Sequence, residues 1–322
     1  MKIDIEKTAE FLKANDFFYI IAHTSPDGDT IGSSFALYYA LKQFGKTSKV
    51  ICADEFDVKY DYLFREYKIE KFEPKTIVTC DIADENLLGD LQQQYEGRVD
   101  LCIDHHVSNK GYAKNSFVDH TAAANCENVY RIIKALGVEI SPLIAECLYT
   151  GIVTDTGCFR FSNTTANTHA IVAELLKIDF PHYEINRQMF EIKKMERLRL
   201  ETMLVTEMES YFNHRCHLVV VRKKLMQELG LSDSDLEGVT AITTQIGSSL
   251  VGITIKEKDT DKYKLSLRST GNVNVSEICQ KFGGGGHFNA AGCTIKGTEK
   301  EVKEKIIHAL SDILSWGSVN AE

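Results

Sequence analysis

The chain has 322 residues, with 37 basic against 46 acidic side chains and a formal net charge of −9 at pH 7. At roughly 100–200 residues per domain, that length suggests two domains. The acid surplus excludes a broad basic surface for long nucleic acid, although local cations can still hold an anionic ligand.

Nine cysteines, an odd number with no C-x-x-C spacing, argue against a disulfide framework or zinc knuckle and read as free thiols in a reducing cytoplasm. The start, MKIDIEKTAEFLKAND, is acidic and lacks the apolar core of a signal peptide. No stretch reaches the roughly 18 apolar residues of a membrane span, so no membrane partner is expected.

Residues 4–15 predict a short helix. FFYIIAH (17–23) is an apolar run of strand length, suited to a buried parallel strand. IGSSFALYYALKQFG (31–45) predicts a helix stopped by Gly45, and TSKVICAD (47–54) a second strand. EFDVKYDYLFREY (55–67) reads as helical. TIVTCD (76–81) and VDLCIDHH (99–106) are further strands, followed by helices over 120–137, 140–162 (running into a loop) and 168–178. Strands alternating with helices predict an α/β domain with a doubly wound, mainly parallel sheet.

The stretch 184–212 is long, charged and helical, and reads as a linking helix. Beyond it, CHLVVVRK, SLVGITIKE and KYKLSLRS have strand texture, with helices around 233–247, 275–281 and 299–315. This predicts a smaller mixed α+β domain, and the bounds 1–183, 184–212 and 213–322.

Each predicted strand of the first domain ends in a charged or ligand-type residue. The first supplies His23, then Asp27 and Asp29. The third supplies Asp81, and the fourth supplies Asp104, His105 and His106. A helical segment delivers Asp155 just before Gly157. In open α/β sheets, sites form outside the carboxyl ends of the strands. PDGD alone is an ordinary turn sequence, but four segments feeding ligand-type residues to one edge are a stronger signal. Four aspartates cannot sit together as bare anions, because like charges raise each other's pKa. Two divalent ions balance four carboxylates, and such pairs suit in-line attack at phosphorus. Mixed carboxylate and imidazole donors suit Mn²⁺, with Mg²⁺ as the alternative. In this reading the strand fixes His23, while Pro26 and Gly28 bend the loop so that both aspartates face inward.

HTSPDGD, the TCD ending at Asp81, CIDHH and TDTG resemble, in order, the four motifs of the DHH phosphoesterase family. GGGGHFNAAG (283–292) resembles the glycine-rich signature of the associated C-terminal domain, so the likeness spans nearly the whole chain. It is nearest to the stand-alone two-domain type, the nanoRNases and pAp phosphatases.

The resemblance implies a ligand set. His23, Asp27 and Asp81 would hold one Mn²⁺, and Asp29, Asp81, His105 and Asp155 the other, with Asp81 bridging. His106 would face the scissile phosphate or leaving group, and Asp104 would orient a histidine. In the second domain, Gly284, Gly285, Gly286, His287 and Asn289, with Ser266 and Arg268, would grip the substrate, and Arg160 would contact it from the first domain. The GGGG run followed by His lacks the GK[ST] of a Walker loop. TAAANC departs from the family's hydroxyl-rich helix start, since Asn125 stands where a hydroxyl is expected.

Two domains closing on a cleft would measure short substrates from their ends. The implied activity removes 5′-mononucleotides from very short RNA and the 3′-phosphate from pAp, with no grip on long nucleic acid. A cyclic-dinucleotide or pApA phosphodiesterase is the alternative on the same scaffold, and a non-catalytic nucleotide sensor is the reading outside enzymology. An apolar edge or helix could also make a homodimer.

Overall fold

Asp4 caps α1 (Ile5–Ala14) by accepting from the Lys7 N–H, and the apolar run that follows forms β1 (Phe18–Ile21). The computed structural model describes residues 1–236 and 238–314, which divide into two compact units, Met1–Ile192 and a second beginning at Lys193. In the first unit, α2 (Gly28–Gln43), β2 (Ser48–Ile51), β3 (Thr76–Cys80), α3 (Gln92–Tyr95), β4 (Leu101–Asp104) and β5 (Asn115–Val118) follow β1 in turn. The sheet is wholly parallel, in the order β2-β1-β3-β4-β5. The chain leaves β1 for β2 and returns on the other side to β3, which makes the β1/β3 boundary a topological switch point.

Three further helices, α4 (Asn125–Leu136), α5 (Pro142–Asp155) and α6 (Ala166–Leu175), complete the thick layer on one face. The other face carries a thin layer, with Leu88 and Tyr95 packed on Ile21, Ile77 and Cys102. Nearly every residue of α2 and α5 is buried, because these helices lie inside the thick layer. Their closeness depends on glycine. A Cβ on Gly32 would stand 2.4 Å from the Cys147 carbonyl oxygen, and one on Gly28 2.3 Å from Thr154 Oγ1. One on Gly151 would meet Cys126 Sγ at 2.2 Å and Asp29 Oδ1 at 2.7 Å.

Several boundaries differ from the sequence reading. Helix α2 begins at Gly28 rather than 31, with Asp27 as its N-cap, so Asp29 sits in its first turn and Gly28 serves helix packing rather than a loop bend. The aromatic stretch after β2 forms only a 3₁₀ turn, Val58–Leu63, that seats Tyr60 and Leu63 in the core. Helix α4 starts at Asn125, five residues later than expected. Strand β5, only four residues long, was not foreseen.

The stretch 184–212 is not one helix. Helix α7 (His182–Asn186) runs into a single π turn, Arg187–Glu191, and the chain extends at Ile192 before α8 (Met195–Thr206) and β6 (Glu209–Tyr211). The second unit continues with β7 (Cys216–Val221), α9 (Lys223–Leu229), β8 (Val251–Asp259), β9 (Lys262–Ser269), α10 (Val275–Gln280), β10 (Gly285–His287), β11 (Ala290–Lys296) and α11 (Glu299–Leu314). Its mixed sheet runs β10-β11-β9-β8-β7-β6. The region read as helical over 233–247 holds two short 3₁₀ turns separated by left-handed Gly238, and its Glu237 lies outside the described residues. The last residue of the helix read over 299–315, and the chain beyond it, likewise lie outside the described residues. Helices α10 and α11 cover one face of this sheet, while Leu200, Leu204, Met226 and Val239 cover β7 on the other.

The fold class is therefore the expected one: a parallel doubly wound α/β unit followed by a smaller mixed α+β unit. All nine cysteines are unpaired, and no described helix is long and apolar enough to cross a membrane.

The glycine crossing is testable. Gly32→Ala places its methyl against backbone, so α2 and α5 must move apart, at an expected cost of about 1–3 kcal/mol. Hydrogen–deuterium exchange should quicken along both helices. Gly247→Ala, which meets nothing within 4 Å, should leave exchange unchanged.

Candidate active site

Strands β1, β3 and β4 are neighbours, and their carboxyl ends deliver His23, Asp81 and Asp104–His106 to one place. Asp81 follows β3 in left-handed backbone (φ 64°), an unusual conformation for a residue other than glycine. Its side chain is 3% exposed, and Oδ1 accepts no hydrogen bond. His23 Nε2 lies 3.7 Å from both Asp27 Oδ1 and Asp81 Oδ2. His105 Nε2 lies 3.4 Å from Asp81 Oδ1, 3.6 Å from Asp155 Oδ2 and 3.8 Å from Asp29 Oδ2. The structure thus brings together the six residues singled out as metal ligands. Within each of the sets His23/Asp27/Asp81, Asp29/His105/Asp155 and Asp81/His105/His106, donor atoms lie within 4.8 Å of one another.

The electrostatics are those of a cation site. Asp29 is 1% exposed, and its carboxyl is pushed far above the usual range by burial and by the nearby Asp81 and Asp155 carboxylates. The Asp155 carboxyl is raised to about 7; burial is the main cause, His105 opposes it, and Asp81 and Asp27 add to it. His23 rises to about 11 and His105 to about 10: burial disfavours their charge, and the surrounding carboxylates outweigh burial. Each ring is oriented by a backbone carbonyl. His23 Nδ1 donates to Thr24 O at 2.7 Å and His105 Nδ1 to Ala122 O at 3.1 Å. A carbonyl can only accept, so Nδ1 carries the proton and Nε2 is the nitrogen offered to the cluster. An orphaned buried oxygen, clustered carboxylates and two presented imidazole nitrogens fit divalent cations.

Asp104 is fully buried and plays a different part. Its Oδ1 accepts from the His105 N–H (2.8 Å), the His106 N–H (3.3 Å) and His106 Nδ1 (2.8 Å), and its Oδ2 from Asn109 Nδ2 (2.6 Å). Burial alone would raise its carboxyl, but these donors hold it below the usual range. The Asp104 bond in turn raises His106, whose side chain is 43% exposed.

Three supporting groups escaped the sequence reading. Asn109 anchors Asp104. Thr30 Oγ1 donates to Cys80 O at 3.0 Å and ties α2 to the end of β3. The Asn125 and Cys126 N–H groups, at the start of α4, hold Asp29 at 2.5 and 2.9 Å. That helix start is therefore engaged with a carboxylate of the protein itself. Asn109 was detectable as a side-chain amide five residues past Asp104, but the Asn125 and Cys126 contacts are backbone and leave no sequence trace.

Arg160 is exposed on the turn after α5. Its Nε donates to Gly157 O at 2.6 Å, and its guanidinium lies over Phe190. The remaining predicted substrate contacts fall in the second unit. Register aligns His287, Ala290 and Arg268 across β10, β11 and β9, and Gly285, Gly292 and Ser266 in the next row. Directly opposed residues share a face, so His287, Arg268 and Ser266 project from the same side. Arg268 donates to Leu267 O, and burial lowers its pKa. The Asn289 amide donates to Ser269 Oγ at 3.0 Å and braces its own loop. A Cβ on Gly284 or Gly286 would strike β11, 2.2 Å from Gly292 O or 2.5 Å from Ala290 O, whereas Gly285 faces open space. Two of these three glycines thus serve the hairpin itself.

Residues 17–152 match the DHH family, N-terminal domain, and residues 219–315 match the DHHA1 domain. A bifunctional oligoribonuclease and PAP phosphatase NrnA of Thermus thermophilus is 32% identical over 95% of this chain and 93% of its own length. The protein of the same description from Bacillus subtilis is 26% identical over 92% and 93%. The crystal structure of an exopolyphosphatase-related protein from Bacteroides fragilis superposes with a TM-score of 0.87 at 26% identity, over 97% of this chain and 96% of that one.

The histidine values predict proton-coupled cation binding. With no divalent cation in solution, His23 and His105 are protonated on Nε2 near neutral pH, and Asp155 is divided between its two forms. A bound cation must displace those protons. Titration calorimetry with Mn²⁺ in buffers of different ionisation heat should show more than about two protons released per chain, the histidines supplying two and the raised Asp155 and Asp29 carboxyls the rest, and affinity should climb as pH rises. His23→Ala should reduce the release by about one proton.

Proposed function

This chain belongs to the DHH family, and we propose that it is a two-metal, Mn²⁺-dependent phosphoesterase that degrades very short oligoribonucleotides to 5′-mononucleotides and dephosphorylates pAp to AMP. The observation that carries this reading is the cluster around Asp81: three further carboxylates and two imidazoles gather about a buried aspartate whose Oδ1 no donor of the protein satisfies. The names of the Thermus and Bacillus relatives support the substrate class.

His23, Asp27 and Asp81 would hold one ion, and Asp29, Asp81, His105 and Asp155 the other, with Asp81 shared. Mixed oxygen and imidazole donors suit Mn²⁺, with Mg²⁺ as the alternative. What such ions supply is Lewis acidity toward water and toward the phosphoryl oxygens.

The chain's own groups do the rest. Asp104 holds His106 through Nδ1 and favours its charged form, so the opposite nitrogen can give a proton to the departing oxygen. Asn109 and two backbone N–H groups keep Asp104 ionised while it does so. Arg268, His287, Ser266, Asn289 and Gly284–Gly286 of the second unit, with Arg160 of the first, would bind the substrate's phosphate or base; Arg268 has the fork geometry for a phosphate.

A product time course with Mn²⁺ and then Mg²⁺ tests the reading, offering a ribonucleotide dimer, a long RNA, pAp, pApA, c-di-AMP and pyrophosphate separately. Dimer and pAp should turn over, and long RNA should not. Asp81→Ala should abolish activity together with metal binding. His106→Ala should retain the metals and lose about 10²–10⁴-fold in kcat. Preference for c-di-AMP or pApA would move the protein to a cyclic-dinucleotide role. Bound metal without any turnover would favour a sensor.

A further inference from the structure

Strand β9 alternates strictly. Tyr263, Leu265 and Leu267 are buried, Lys262, Lys264 and Arg268 are exposed, and Ser266 is half-buried. Across β11, Lys262 stands opposite Lys296, Lys264 opposite Thr294, Ser266 opposite Gly292 and Arg268 opposite Ala290. Across β8, Lys264 stands opposite Lys256. Because opposed residues share a face, Lys256, Lys262, Lys264, Lys296, Arg268 and His287 all project from one side. The apolar residues of β9 and β11 project from the other, into the core beneath α10 and α11.

Among the described residues, this side is covered only at one end. Residues of α8 and α9, with Val239, pack over β7, and Thr243 sits on Gly252 of β8. Over β9, β11 and β10 it is open: Lys262, Lys264, Arg268, Thr294, Lys296 and His287 are exposed.

Directly opposed like charges destabilise a sheet, and here Lys262 faces Lys296 and Lys264 faces Lys256. The chain as a whole has an acid surplus, yet few acids relieve these pairs. Asp233 pairs with Lys256 and Lys258, and Asp259 stands opposite Lys262. Among the described residues no ion pair joins Lys262, Lys264, Lys296 or Arg268 to an acid. Successive outward residues of a strand are about 6.8 Å apart, so the row from Lys262 to Arg268 runs about 20 Å. A row of unpaired cations set one and two multiples of that repeat apart, beside the small residues Ala290 and Gly292, matches a linear ligand with regularly repeated negative charge.

We propose that this face is a backbone track for single-stranded oligoribonucleotides: with one phosphate at Arg268 and His287, the following phosphates lie over Ser266, Lys264 and Lys262. The proposal rests on the oligoribonuclease reading and adds a length range to it. A dinucleotide or pAp stops short of the lysines, and a chain of about four or five nucleotides reaches them.

The test compares KM for a ribonucleotide dimer and a pentamer between about 50 and 200 mM salt. Each phosphate contact on a single strand contributes about 0.7 to the logarithmic salt slope, so two lysine contacts should make the pentamer's KM rise about sevenfold more than the dimer's. Lys262→Gln/Lys264→Gln should remove that excess and weaken the pentamer at low salt, with dimer and pAp kinetics unchanged. Lys224→Gln/Lys300→Gln alters net charge equally and should leave the slope intact. The track is overturned if the first double variant leaves the pentamer unaffected, if it shifts dimer and pentamer alike, or if it weakens inhibition by inorganic polyphosphate while sparing the pentamer. Failure of the underlying reading is separable, because the wild type would then turn over neither dimer nor pAp. Anisotropy of a labelled pentamer decides the track in that case: equal binding by wild type and variant overturns it.

Discussion

Repulsion among Asp27, Asp29, Asp81 and Asp155 is the constraint that the first unit is built around. Two of the four are almost fully buried, where water cannot screen them. The protein relieves part of the repulsion itself. Asp29 accepts two N–H groups from the start of α4, and Asp27 accepts the Asp29 and Thr30 N–H groups at the start of α2. Asp81 Oδ1 receives none. Positive charge must come from the histidines or from outside, and protonated histidines are only a substitute, because their Nε2 atoms stand 3.4–3.8 Å from the carboxylate oxygens.

The strand order makes such a cluster attainable with short loops. Parallel neighbours lie about 4.8 Å apart, so consecutive ends at β1, β3 and β4 place His23, Asp81 and the Asp104–His106 run side by side. Helix direction then sorts the acids. Asp27 and Asp29 sit at the positive ends of α2 and α4, which favour anions, whereas Asp155 ends α5, where the helix dipole disfavours negative charge. That difference agrees with Asp155 being raised to about 7 and Asp27 being lowered, chiefly by His23 against the effect of burial. The glycine crossing of α2 and α5 brings the two classes of acid together, since Gly151 leaves room for Asp29 itself.

The parts legible in sequence were those carried by side-chain identity and strand periodicity. Apolar runs of strand length located β1, β3 and β4, and the residues ending them pointed to the site. What stayed hidden was set by backbone or tertiary contacts. NSFV is too short and too weakly patterned to announce β5. Extending α2 back to Gly28 depends on Asp27 capping it, which PDGD, a good turn sequence, does not distinguish. The break at Ile192 lies within a stretch whose local propensity is helical throughout, so propensity alone predicts continuity there. In the glycine-rich segment, Gly284 and Gly286 are explained by their approach to β11, which no count of glycines separates from anion binding.

His105 and His106 show how adjacent, chemically identical residues are driven to opposite tasks. Both use Nδ1 as donor, but their acceptors differ. His105 donates to the Ala122 carbonyl, a neutral group that fixes the ring and leaves Nε2 facing three carboxylates. His106 donates to the Asp104 carboxylate, an anion that stabilises the imidazolium. A ring held by a carbonyl can yield its second proton to a cation; a ring held by a carboxylate tends to keep that proton until a basic oxygen appears. Asp104 can act this way only while it remains ionised, and its donors from His105, His106 and Asn109 ensure that. The division of labour in the DHH run therefore lies less in the two histidines than in what their Nδ1 atoms meet: a carbonyl of the segment leading into α4 in one case, and the first residue of the motif in the other.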